Sequence, residues 1–260
     1  MNHKLFAIFG NPVSHSKSPL IHNGAFRYLG IKDCYARYEL QDGKDFRHKF
    51  FELSLSGANI TIPFKEDAFT ACDTLDMFAR EIGAVNTVIE KDGKLMGYNT
   101  DAPGFMAALD GFVPKKTLIL GAGGTARAIA FALKSENSDV VVANRSKERL
   151  SFFKERGFST VVFDDLEIDG YDLIVNTTSA GLKDDLLPTK EALLEGLMKK
   201  AAFAFDCIYR DTPFLKMADK FGVKRKDGID MLLWQAFYAF EIFNENKFDK
   251  KLFEVMKASV

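Results

Sequence analysis

The stretch TLILGAGGTARAIA, residues 117–130, constrains the fold more than any other part of the chain. A short apolar run, typical of a strand buried on both faces, leads directly into the small residues Gly121, Gly123 and Ala126. Their spacing fits G-x-G-x-x-G/A, which permits a tight turn, a close approach of backbone to a pyrophosphate, and close packing of helix on strand. The helix predicted next, over about Gly124–Lys134, would present unpaired N–H groups to phosphate oxygens. The stretch therefore predicts the first half of a dinucleotide-binding βαβ unit.

The next predicted strand indicates which dinucleotide such a site would take. DVVVANRS, residues 139–146, ends in Asn144 and Arg145 with no acidic residue beside them. An NAD site usually holds the ribose 2′-hydroxyl with Asp or Glu about 20 residues after the glycine turn, whereas an NADP site offers Arg to the 2′-phosphate. We therefore predict NADP. The alternative is a glycine turn in an α/β domain that binds no dinucleotide, with Arg145 merely solvated.

Length and charge narrow the classes of function. A chain of 260 residues suggests about two domains. The formal net charge of −1 gives no electrostatic footprint for nucleic acid or an anionic membrane. No apolar run approaches the roughly 18 residues of a membrane span, and the first residues show no signal-peptide pattern. We expect a cytoplasmic protein that binds a small molecule and neither nucleic acid nor a membrane.

Cysteine and histidine usage argues against a bound metal. Cys34, Cys72 and Cys207 are odd in number and widely spaced, unlike a disulfide framework or a zinc site. The four histidines form no metal-ligand pair at helical spacing. We expect no metal site.

The loop GNPVSHSKSP, residues 10–19, is the first candidate ligand site. It leads into a predicted helix, for which Ser18 is a good N-cap and Pro19 a good first residue. Ser14 and Ser16 lie just ahead of that helix, where hydroxyl donors and a positive dipole end would suit a carboxylate ligand. The alternative is that both hydroxyls only satisfy the backbone of the loop.

A second candidate site follows in GANITIPFK, residues 57–65. Alternation along this predicted strand places Asn59 and Thr61 on one face, and Pro63 ends the strand. Lys65 then falls in the first turn of a helix, where a cation opposes the helix dipole, so a positioned role is one interpretation. The other is an ordinary solvated lysine.

The segment VNTVIEKDGKLMGYN, residues 85–99, predicts a β-hairpin with Asp92 and Gly93 as a two-residue turn. Counting outward from the turn brings Asn86 opposite the end of the second strand, and Asp101 lies just beyond that end. The register thus predicts that Asn86 and Asp101 meet at one end of the sheet. Asp101 also precedes a predicted helix, and the alternative role for it is the N-cap of that helix.

Alternating strands and helices in the second half of the chain predict a doubly wound sheet, whose ligands bind beyond the carboxyl ends of the strands. Thr177 follows one such strand, and Cys207 and Tyr209 follow another. Loop capping and packing are the alternatives for these positions. Gln235 is the main polar residue of an apolar helix predicted over Asp227–Phe243, so it either faces a polar cleft or makes an internal hydrogen bond.

Taken together, the motifs resemble the shikimate dehydrogenase family over nearly the whole chain. They are, in the family's order, SKSPLIH, GANITIPFK, GAVNT, GYNTD, GAGGTARA, NRS, NTTSAG and DGIDMLLWQA. The resemblance implies an α/β fold with an N-terminal α/β substrate domain over residues 1–101 and a Rossmann-type doubly wound NADP domain over residues 102–227. C-terminal helices, residues 228–260, would pack back on the first domain. The site is expected in the cleft between the domains.

The resemblance also implies roles for individual residues. Lys65 and Asp101 look like the catalytic pair. The substrate carboxylate would be bound by Ser14 and Ser16, with Tyr209 as a further substrate-binding residue nearby. The ring hydroxyls would be held by Asn59, Thr61, Lys65, Asn86, Asp101 and Gln235. The cofactor positions are Gly121, Ala122, Gly123, Gly124, Thr125, Ala126 and Arg127 at the pyrophosphate, Asn144, Arg145 and Ser146 at the adenosine phosphate, and Thr177, Cys207 and Gly228 at the nicotinamide.

Two positions depart from the family's pattern. Thr177 stands where Ala is commoner, and Cys207 stands where a larger apolar residue such as Met is frequent. Both departures concern the fit of the cofactor more than the type of reaction.

The implied reaction is the reversible, NADP-dependent reduction of 3-dehydroshikimate to shikimate in aromatic amino acid biosynthesis. Lys65 would donate a proton to the C3 oxygen, and Asp101 would orient the ammonium and bind the neighbouring hydroxyl. The alternatives are a broader quinate/shikimate dehydrogenase that accepts NAD, a reductase of another small carbonyl compound, and a non-catalytic NADP-binding regulator. A regulator would be expected to lack the Lys and Asp pair. We expect a monomer or a homodimer.

Overall fold

The computed structural model describes residues 3–260, and the chain divides into two compact units. The first unit comprises the chain up to Gly104 together with Leu233–Val260, and the second comprises Phe105–Leu232. The sequence places the corresponding transitions after residues 101 and 227.

The first unit is built on a mixed sheet. Its strands are β1 (Leu5–Gly10), β2 (Cys34–Glu39), β3 (Gly57–Ile60), β4 (Thr74–Leu75), β5 (Thr87–Lys91) and β6 (Lys94–Tyr98). Its helices include α1 (Ser18–Tyr28), α2 (Phe46–Glu52), α3 (Lys65–Ala71), α4 (Met77–Ile82) and the C-terminal α11 (Lys250–Lys257). The strands lie in the order β2-β1-β3-β5-β6-β4, with β1 parallel to β2 and β3, and β5 antiparallel to β3 and β6.

The hairpin of β5 and β6 has the predicted register. Lys91 pairs with Lys94, and Glu90 pairs with Leu95. Asp92 and Gly93, which connect the two strands, both have positive φ angles, 53° and 76°, as a type I′ turn requires. The turn therefore fixes which residues reach the far end of the hairpin.

Helix α1 begins at Ser18, so the prediction that Ser18 is the N-cap is wrong. The N-cap position is occupied by Lys17, whose side chain makes no capping hydrogen bond. The N–H of Ser18 instead donates to Oγ of Ser16 at 3.3 Å. Because the Ser16 hydroxyl already accepts this N–H, the helix starts one residue earlier than the capping pattern suggests.

Helix α5 (Asp101–Ala108) also begins one residue before its predicted start, because Asp101 is its first residue rather than the residue before it. Oδ1 of Asn99 accepts the N–H groups of Asp101 at 3.1 Å and of Ala102 at 3.3 Å. Asn99 therefore caps the helix, and the alternative role of Asp101 as its N-cap is wrong. The Asp101 carboxylate is left to bind other groups.

The second unit is built on a parallel sheet. Its strands are β7 (Lys116–Leu120), β8 (Asp139–Asn144), β9 (Ser159–Val162), β10 (Leu173–Asn176), β11 (Phe203–Asp206) and β12 (Lys224–Lys226). Its helices include α6 (Gly124–Ser135), α7 (Ser151–Glu155), α8 (Glu191–Met198) and α9 (Pro213–Lys220). The strand order is β12-β11-β10-β7-β8-β9, which is the order of a doubly wound dinucleotide-binding sheet when β7 is counted as its first strand. The predicted α/β fold class is confirmed.

Both changes of unit occur inside helices. The first lies within α5, and the second lies within α10 (Ile229–Phe243). Between residues 3 and 260, no helix is long and apolar enough to cross a membrane.

Candidate active site

One edge of the sheet in the first unit gathers several of the predicted substrate residues. The parallel strands β1 and β3 end at this edge, and β5 starts there because it is antiparallel to β3. Asn59 in β3 pairs with Thr87 in β5, and Thr87 pairs with Tyr98 in β6. Asn86 directly precedes β5, and Asp101 follows β6 as the first residue of α5, so both lie at the same edge of the sheet.

Lys65 and Asp101 form an ion pair at this edge. Nζ of Lys65 lies 2.5 Å from Oδ2 of Asp101, and the two side chains are only 12% and 8% exposed. Lys65 is the first residue of α3, and its carbonyl oxygen accepts the N–H of Val85 at 2.9 Å. Because bulk water is largely excluded, the attraction between the two charges is stronger than on an open surface. Lys65 is therefore not a freely solvated lysine.

The amide of Asn86 holds the other oxygen of the same carboxylate. Nδ2 of Asn86 donates to Oδ1 of Asp101 at 2.9 Å, and Oδ1 of Asn86 accepts the backbone N–H of Thr100 at 2.8 Å. The prediction that the hairpin register brings Asn86 and Asp101 together is confirmed by this contact.

Gln235 lies beside Asn86, next to the ion pair of Lys65 and Asp101. Oε1 of Gln235 lies 3.5 Å from Nδ2 of Asn86, at the long limit of a hydrogen bond. Helix α10 comes this close because Gly104 in α5 has no side chain. A Cβ atom at Gly104 would lie 2.8 Å from the backbone nitrogen of Gln235. This packing of two helices distant in sequence has no signal in the local pattern of either one.

Ser14 and Ser16 lie in the loop between β1 and α1. Ser14 is exposed, whereas Ser16 is buried. The carbonyl oxygen of Ser16 accepts hydrogen bonds from Nε and Nη2 of Arg37, at 3.0 and 2.5 Å. The Ser16 hydroxyl lies 3.2 Å from Oγ of Ser18, to which it donates, and it also accepts the backbone N–H of Ser18. The Ser16 hydroxyl thus contacts the first residue of α1, and its role toward a ligand carboxylate stays a prediction.

Thr61 lies at the start of the next loop along the edge. Its N–H donates to the carbonyl oxygen of Phe9 at 2.8 Å, and the N–H of Asn11 donates to the carbonyl oxygen of Ile62 at 3.1 Å. These bonds hold the loops after β1 and β3 side by side. The loop that contains Ser16 and the loop that contains Thr61 therefore lie at one edge of the same sheet.

Asn59 is buried and held on both sides by groups that the sequence analysis missed. The hydroxyl of Tyr35 donates to its Oδ1 at 2.6 Å, and its Nδ2 donates to Oγ1 of Thr87 at 3.0 Å. The pairing of Asn59 with Thr87 follows from the hairpin together with the neighbouring strand β3. Nothing in the local sequence shows that β2 lies close enough for Tyr35 to reach Asn59.

His22 packs against Tyr35 in the same region. The two rings are stacked, with centroids 4.3 Å apart and planes inclined by 5°. Within residues 3–260, neither ring nitrogen of His22 has a hydrogen-bond partner. Burial lowers the pKa of His22 to about 3, so its ring is neutral at physiological pH.

In the second unit, the glycine turn after β7 has the shape that its sequence predicts. Gly121 has a φ angle of +108°, and a Cβ atom there would lie 2.5 Å from Oγ1 of Thr177. A Cβ at Gly123 would meet nothing within 4 Å, so there is open space beside its backbone. Helix α6 begins at Gly124 without a side-chain cap, which leaves the N–H groups of its first turn for a ligand. These features fit a pyrophosphate.

The other members of the glycine turn and the end of β8 complete the predicted nucleotide site. Ala122 and Ala126 are buried, and Thr125 is half-buried. At the end of β8, Nδ2 of Asn144 donates to the carbonyl oxygen of Ser146 at 2.9 Å, and Arg145 is exposed. The Asn144 amide thus holds the loop while Arg145 extends into solvent. An exposed cation at this position fits a 2′-phosphate.

The ends of β10 and β11 bring together the residues assigned to the nicotinamide. The N–H and the hydroxyl of Thr177 both donate to the carbonyl oxygen of Leu120, each at 2.8 Å. A Cβ at Gly228 would lie 2.6 Å from the carbonyl carbon of Cys207, so only glycine fits against it. Tyr209 follows in the same loop and is half-buried.

A buried pair that the sequence analysis missed supports these loops. Nδ2 of Asn176 donates to Oδ2 of Asp206 at 3.1 Å, and the hydroxyl of Thr212 donates to the same oxygen at 2.6 Å. Burial raises the pKa of Asp206, although the hydrogen bonds from Thr212, Ile208 and Asn176 oppose this shift. The available signal was a polar residue at the end of each of two apolar strands. In the described chain, no group of three or more His, Cys, Asp or Glu side chains is arranged to hold a metal ion.

Comparison with known proteins identifies the family. Residues 8–88 match the family model of the shikimate dehydrogenase substrate binding domain, and residues 107–206 match that of shikimate / quinate 5-dehydrogenase. The chain is 46% identical over 255 residues to the shikimate dehydrogenase (NADP(+)) of Helicobacter hepaticus, covering 97% of this chain and 95% of that one. The chain belongs to the shikimate dehydrogenase family.

Solved structures of other family members have the same fold. The shikimate dehydrogenase of Aquifex aeolicus superimposes with a TM-score of 0.87 at 36% identity, covering 100% of this chain and 98% of that chain. The shikimate 5-dehydrogenase of Thermus thermophilus, solved in complex with NADP(H) and shikimate, gives a TM-score of 0.86 at 36% identity. That match covers 99% of this chain and 100% of the Thermus chain.

Proposed function

We propose that the protein catalyses the reversible, NADP-dependent reduction of 3-dehydroshikimate to shikimate in aromatic amino acid biosynthesis. The observation that carries the proposal is the shielded ion pair of Lys65 and Asp101, set among amide groups at one edge of the first unit's sheet. A non-catalytic regulator would have no use for an ammonium group held in this way. Similarity to NADP-dependent shikimate dehydrogenases over nearly the whole chain supports the same conclusion.

Lys65 is the general acid of this proposal. Reduction of a ketone needs a proton at the oxygen as the carbon takes up hydride, and the Lys65 ammonium supplies that proton. The same positive charge stabilises the negative charge that develops on the oxygen. In the reverse direction, the neutral amine accepts the proton from the C3 hydroxyl.

Asp101 and the amides orient this acid. One carboxylate oxygen of Asp101 holds Nζ of Lys65, and Asn86 holds the other. The ammonium is therefore directed before substrate arrives, which lowers the entropic cost of reaching the reactive geometry. Asp101, Asn86 and Gln235, together with Asn59 and Thr61, are the groups we assign to the ring hydroxyls.

The substrate carboxylate is assigned to the hydroxyl groups of Ser14 and Ser16. Ser14 and Ser16 lie in the loop before α1, near the start of that helix, where the dipole favours an anion. Tyr209, which the resemblance also assigns to the substrate, belongs to the second unit. Its assignment rests on the family resemblance alone.

The second unit provides the residues that fit the cofactor. Gly121, Gly123 and the start of α6 would hold the pyrophosphate, and Arg145 would pair with the 2′-phosphate. Thr177, Cys207 and Gly228 would line the nicotinamide end. When bound, NADPH supplies the hydride that the carbonyl carbon accepts.

A two-by-two assay tests the proposed function. Purified protein is given shikimate or quinate as substrate, each with NADP⁺ or NAD⁺, and reduction of the nicotinamide is followed. We expect turnover with shikimate and NADP⁺ and much less with the other three combinations. Equal rates with quinate would instead favour the broader dehydrogenase, and binding of NADP⁺ without turnover of either substrate would favour a regulator.

We also propose that the protein works in the cytoplasm as a monomer or a homodimer. Within residues 3–260, no disulfide joins Cys34, Cys72 or Cys207, which fits a reducing compartment. Size-exclusion chromatography with light scattering would measure the oligomeric state.

A further inference from the structure

We propose that Tyr35 is a positioning residue whose hydroxyl orients a chain of side chains leading to the catalytic pair. The chain runs from Tyr35 through Asn59, Thr87 and Asn86 to Asp101. The proposal rests on the proposed function, because Asn59, Asn86 and Asp101 are the groups assigned to the substrate hydroxyls.

Each hydrogen bond of this chain has a defined direction. The Tyr35 hydroxyl donates to Oδ1 of Asn59 at 2.6 Å, and Nδ2 of Asn59 donates to Oγ1 of Thr87 at 3.0 Å. Thr87 in turn donates to Oδ1 of Asn86 at 3.1 Å, and Nδ2 of Asn86 donates to Asp101 at 2.9 Å. All of these side chains are buried. The Tyr35 hydroxyl at one end and the Asp101 carboxylate at the other, together with the backbone carbonyl of Asn86 and the backbone N–H of Thr100, therefore fix one of the two possible orientations for each amide.

The two amide hydrogens of Asn59 are both used inside the protein. One side of Nδ2 faces Thr87, and the other faces the backbone carbonyl of Asn86 at 3.2 Å. Among the contacts that residues 3–260 make, the capacity left on Asn59 is the second lone pair of Oδ1. Asn59 must then accept a hydrogen bond from a substrate hydroxyl rather than donate one, and the Tyr35 hydroxyl is the group that holds Oδ1 directly in that place.

Tyr35 is itself held by several contacts, although its strand β2 lies at the edge of the sheet. Both of its backbone polar groups are bonded by the side chain of Asn23, with Nδ2 and Oδ1 each at 2.9 Å. Its ring is 2% exposed and stacks on His22. Burial raises the pKa of Tyr35 well above its usual value, although the Ser18 side chain opposes this shift, so the hydroxyl stays protonated and remains a donor.

Removal of the Tyr35 hydroxyl oxygen provides the test. Tyr35→Phe keeps the ring and its stacking but removes the donor, so Oδ1 of Asn59 loses the hydrogen bond that holds it in place. We expect KM for shikimate to rise about 5- to 50-fold, in line with a buried acceptor left without its donor, while kcat changes less than about threefold. KM for NADP⁺ should stay unchanged, because its proposed site lies in the second unit.

Tyr38→Phe is the matched control. Tyr38 lies on the same strand, and its ring packs on Phe9 with centroids 5.1 Å apart. It loses the same oxygen atom, and we expect neither kcat nor KM to change. Thermal unfolding of both variants shows whether they fold.

A double-mutant cycle separates positioning from a general loss of packing. Asn59→Ala removes the group through which Tyr35 acts, so adding Tyr35→Phe in that background should change KM for shikimate less than about twofold. Multiplicative effects would overturn the proposal, as would an unchanged KM in folded Tyr35→Phe or equal changes in KM for shikimate and NADP⁺. If Tyr35→Phe does not fold, Thr87→Val tests the middle of the chain, with the same expected rise in KM and the same contrary outcome.

Wild-type protein assayed in parallel keeps the two proposals apart. If the wild type does not turn over shikimate with NADP⁺, the proposed function fails and the role of Tyr35 fails with it. If the wild type is active and Tyr35→Phe has the same KM for shikimate, only the role of Tyr35 is refuted.

Discussion

Nζ of Lys65 lies 2.5 Å from one oxygen of Asp101, whose other oxygen accepts a hydrogen bond from Asn86. Both oxygens of the Asp101 carboxylate are thus bonded. The carboxylate that directs the Lys65 ammonium is therefore itself fixed in orientation. Asn99 caps α5, so the Asp101 carboxylate is not needed as the cap and can bind Lys65 and Asn86 instead.

Asp101→Asn should impair catalysis strongly. The substitution removes the negative charge that holds Lys65 and leaves the ammonium free to move away from the reactive position. We expect kcat/KM for shikimate to fall by about 10²-fold or more, as measured by initial rates. Asp169→Asn is the control, because Asp169 pairs with Lys116 at an exposed site where an ion pair contributes little. Equal kinetics for the two variants would contradict the role of Asp101.

His22 should make the stability of the protein depend on pH. The unfolded chain takes up the His22 proton near pH 6.5, whereas the folded chain takes it up only near pH 3, because the ring is buried. Between these values the unfolded state binds more protons, so the free energy of unfolding falls as the pH drops, by up to about 1.4 kcal/mol per pH unit from this group. Above pH 6.5 the contribution is constant.

His22→Phe should remove this term while it keeps an aromatic ring against Tyr35. Urea unfolding of the wild type and the variant between about pH 7 and pH 4 measures the difference in slope, and other titrating groups cancel in the comparison. The wild type should lose stability more steeply toward low pH. Parallel curves would show that His22 does not titrate in this way.

Gly104→Ala should be destabilising, although alanine favours helices. The new Cβ would lie 2.8 Å from the backbone nitrogen of Gln235, and backbone cannot move aside cheaply. We expect a loss of about 1–3 kcal/mol in the free energy of unfolding and a higher KM for shikimate, because α10 carries Gln235 away from Asn86. At Gly170 a Cβ would meet nothing within 4 Å, so Gly170→Ala should stay within about 0.5 kcal/mol of the wild type. A Gly104→Ala protein as stable as the Gly170→Ala control would refute the close packing.

Arg145→Ala should weaken NADP binding more than NAD binding. Arg145 is exposed at the end of β8, where the proposed 2′-phosphate lies. The loss of a charge-assisted hydrogen bond predicts a rise of about 10- to 100-fold in KM for NADP⁺, with little change in KM for NAD⁺. Lys154→Ala, another exposed cation of the second unit, serves as the control. A similar rise for both dinucleotides would place Arg145 outside the phosphate site.

The sequence is most informative where short-range geometry decides the structure. Asp92 and Gly93 select a two-residue turn, and counting from that turn brings Asn86 to Asp101 as the structure has it. The glycine turn after β7 is similar, because only small residues fit its φ angle and its neighbours. In both cases a few adjacent residues contain all the information that is needed.

Long-range pairing is what the sequence does not show. The contact of Tyr35 with Asn59 depends on β1 lying between β2 and β3, a parallel arrangement that no turn encodes. The choice between Asn99 and Asp101 as the cap of α5 is likewise decided by tertiary structure, since both residue types cap well and Lys65 holds Asp101. Strand β12 is hidden in the sequence for a different reason: Lys224–Lys226 is a charged segment, which suits a protected edge strand but has no strand-like pattern.

Lys65→Ala tests the central claim most directly, through the initial rate of NADP⁺ reduction with saturating shikimate. Lys91→Ala, which removes an exposed lysine paired with Glu245, is the control and should match the wild type. We predict that Lys65→Ala lowers kcat by about 10²- to 10⁴-fold, the range of a lost general acid, with a smaller change in KM. A folded Lys65→Ala protein that turns over shikimate at nearly the wild-type rate would contradict the account.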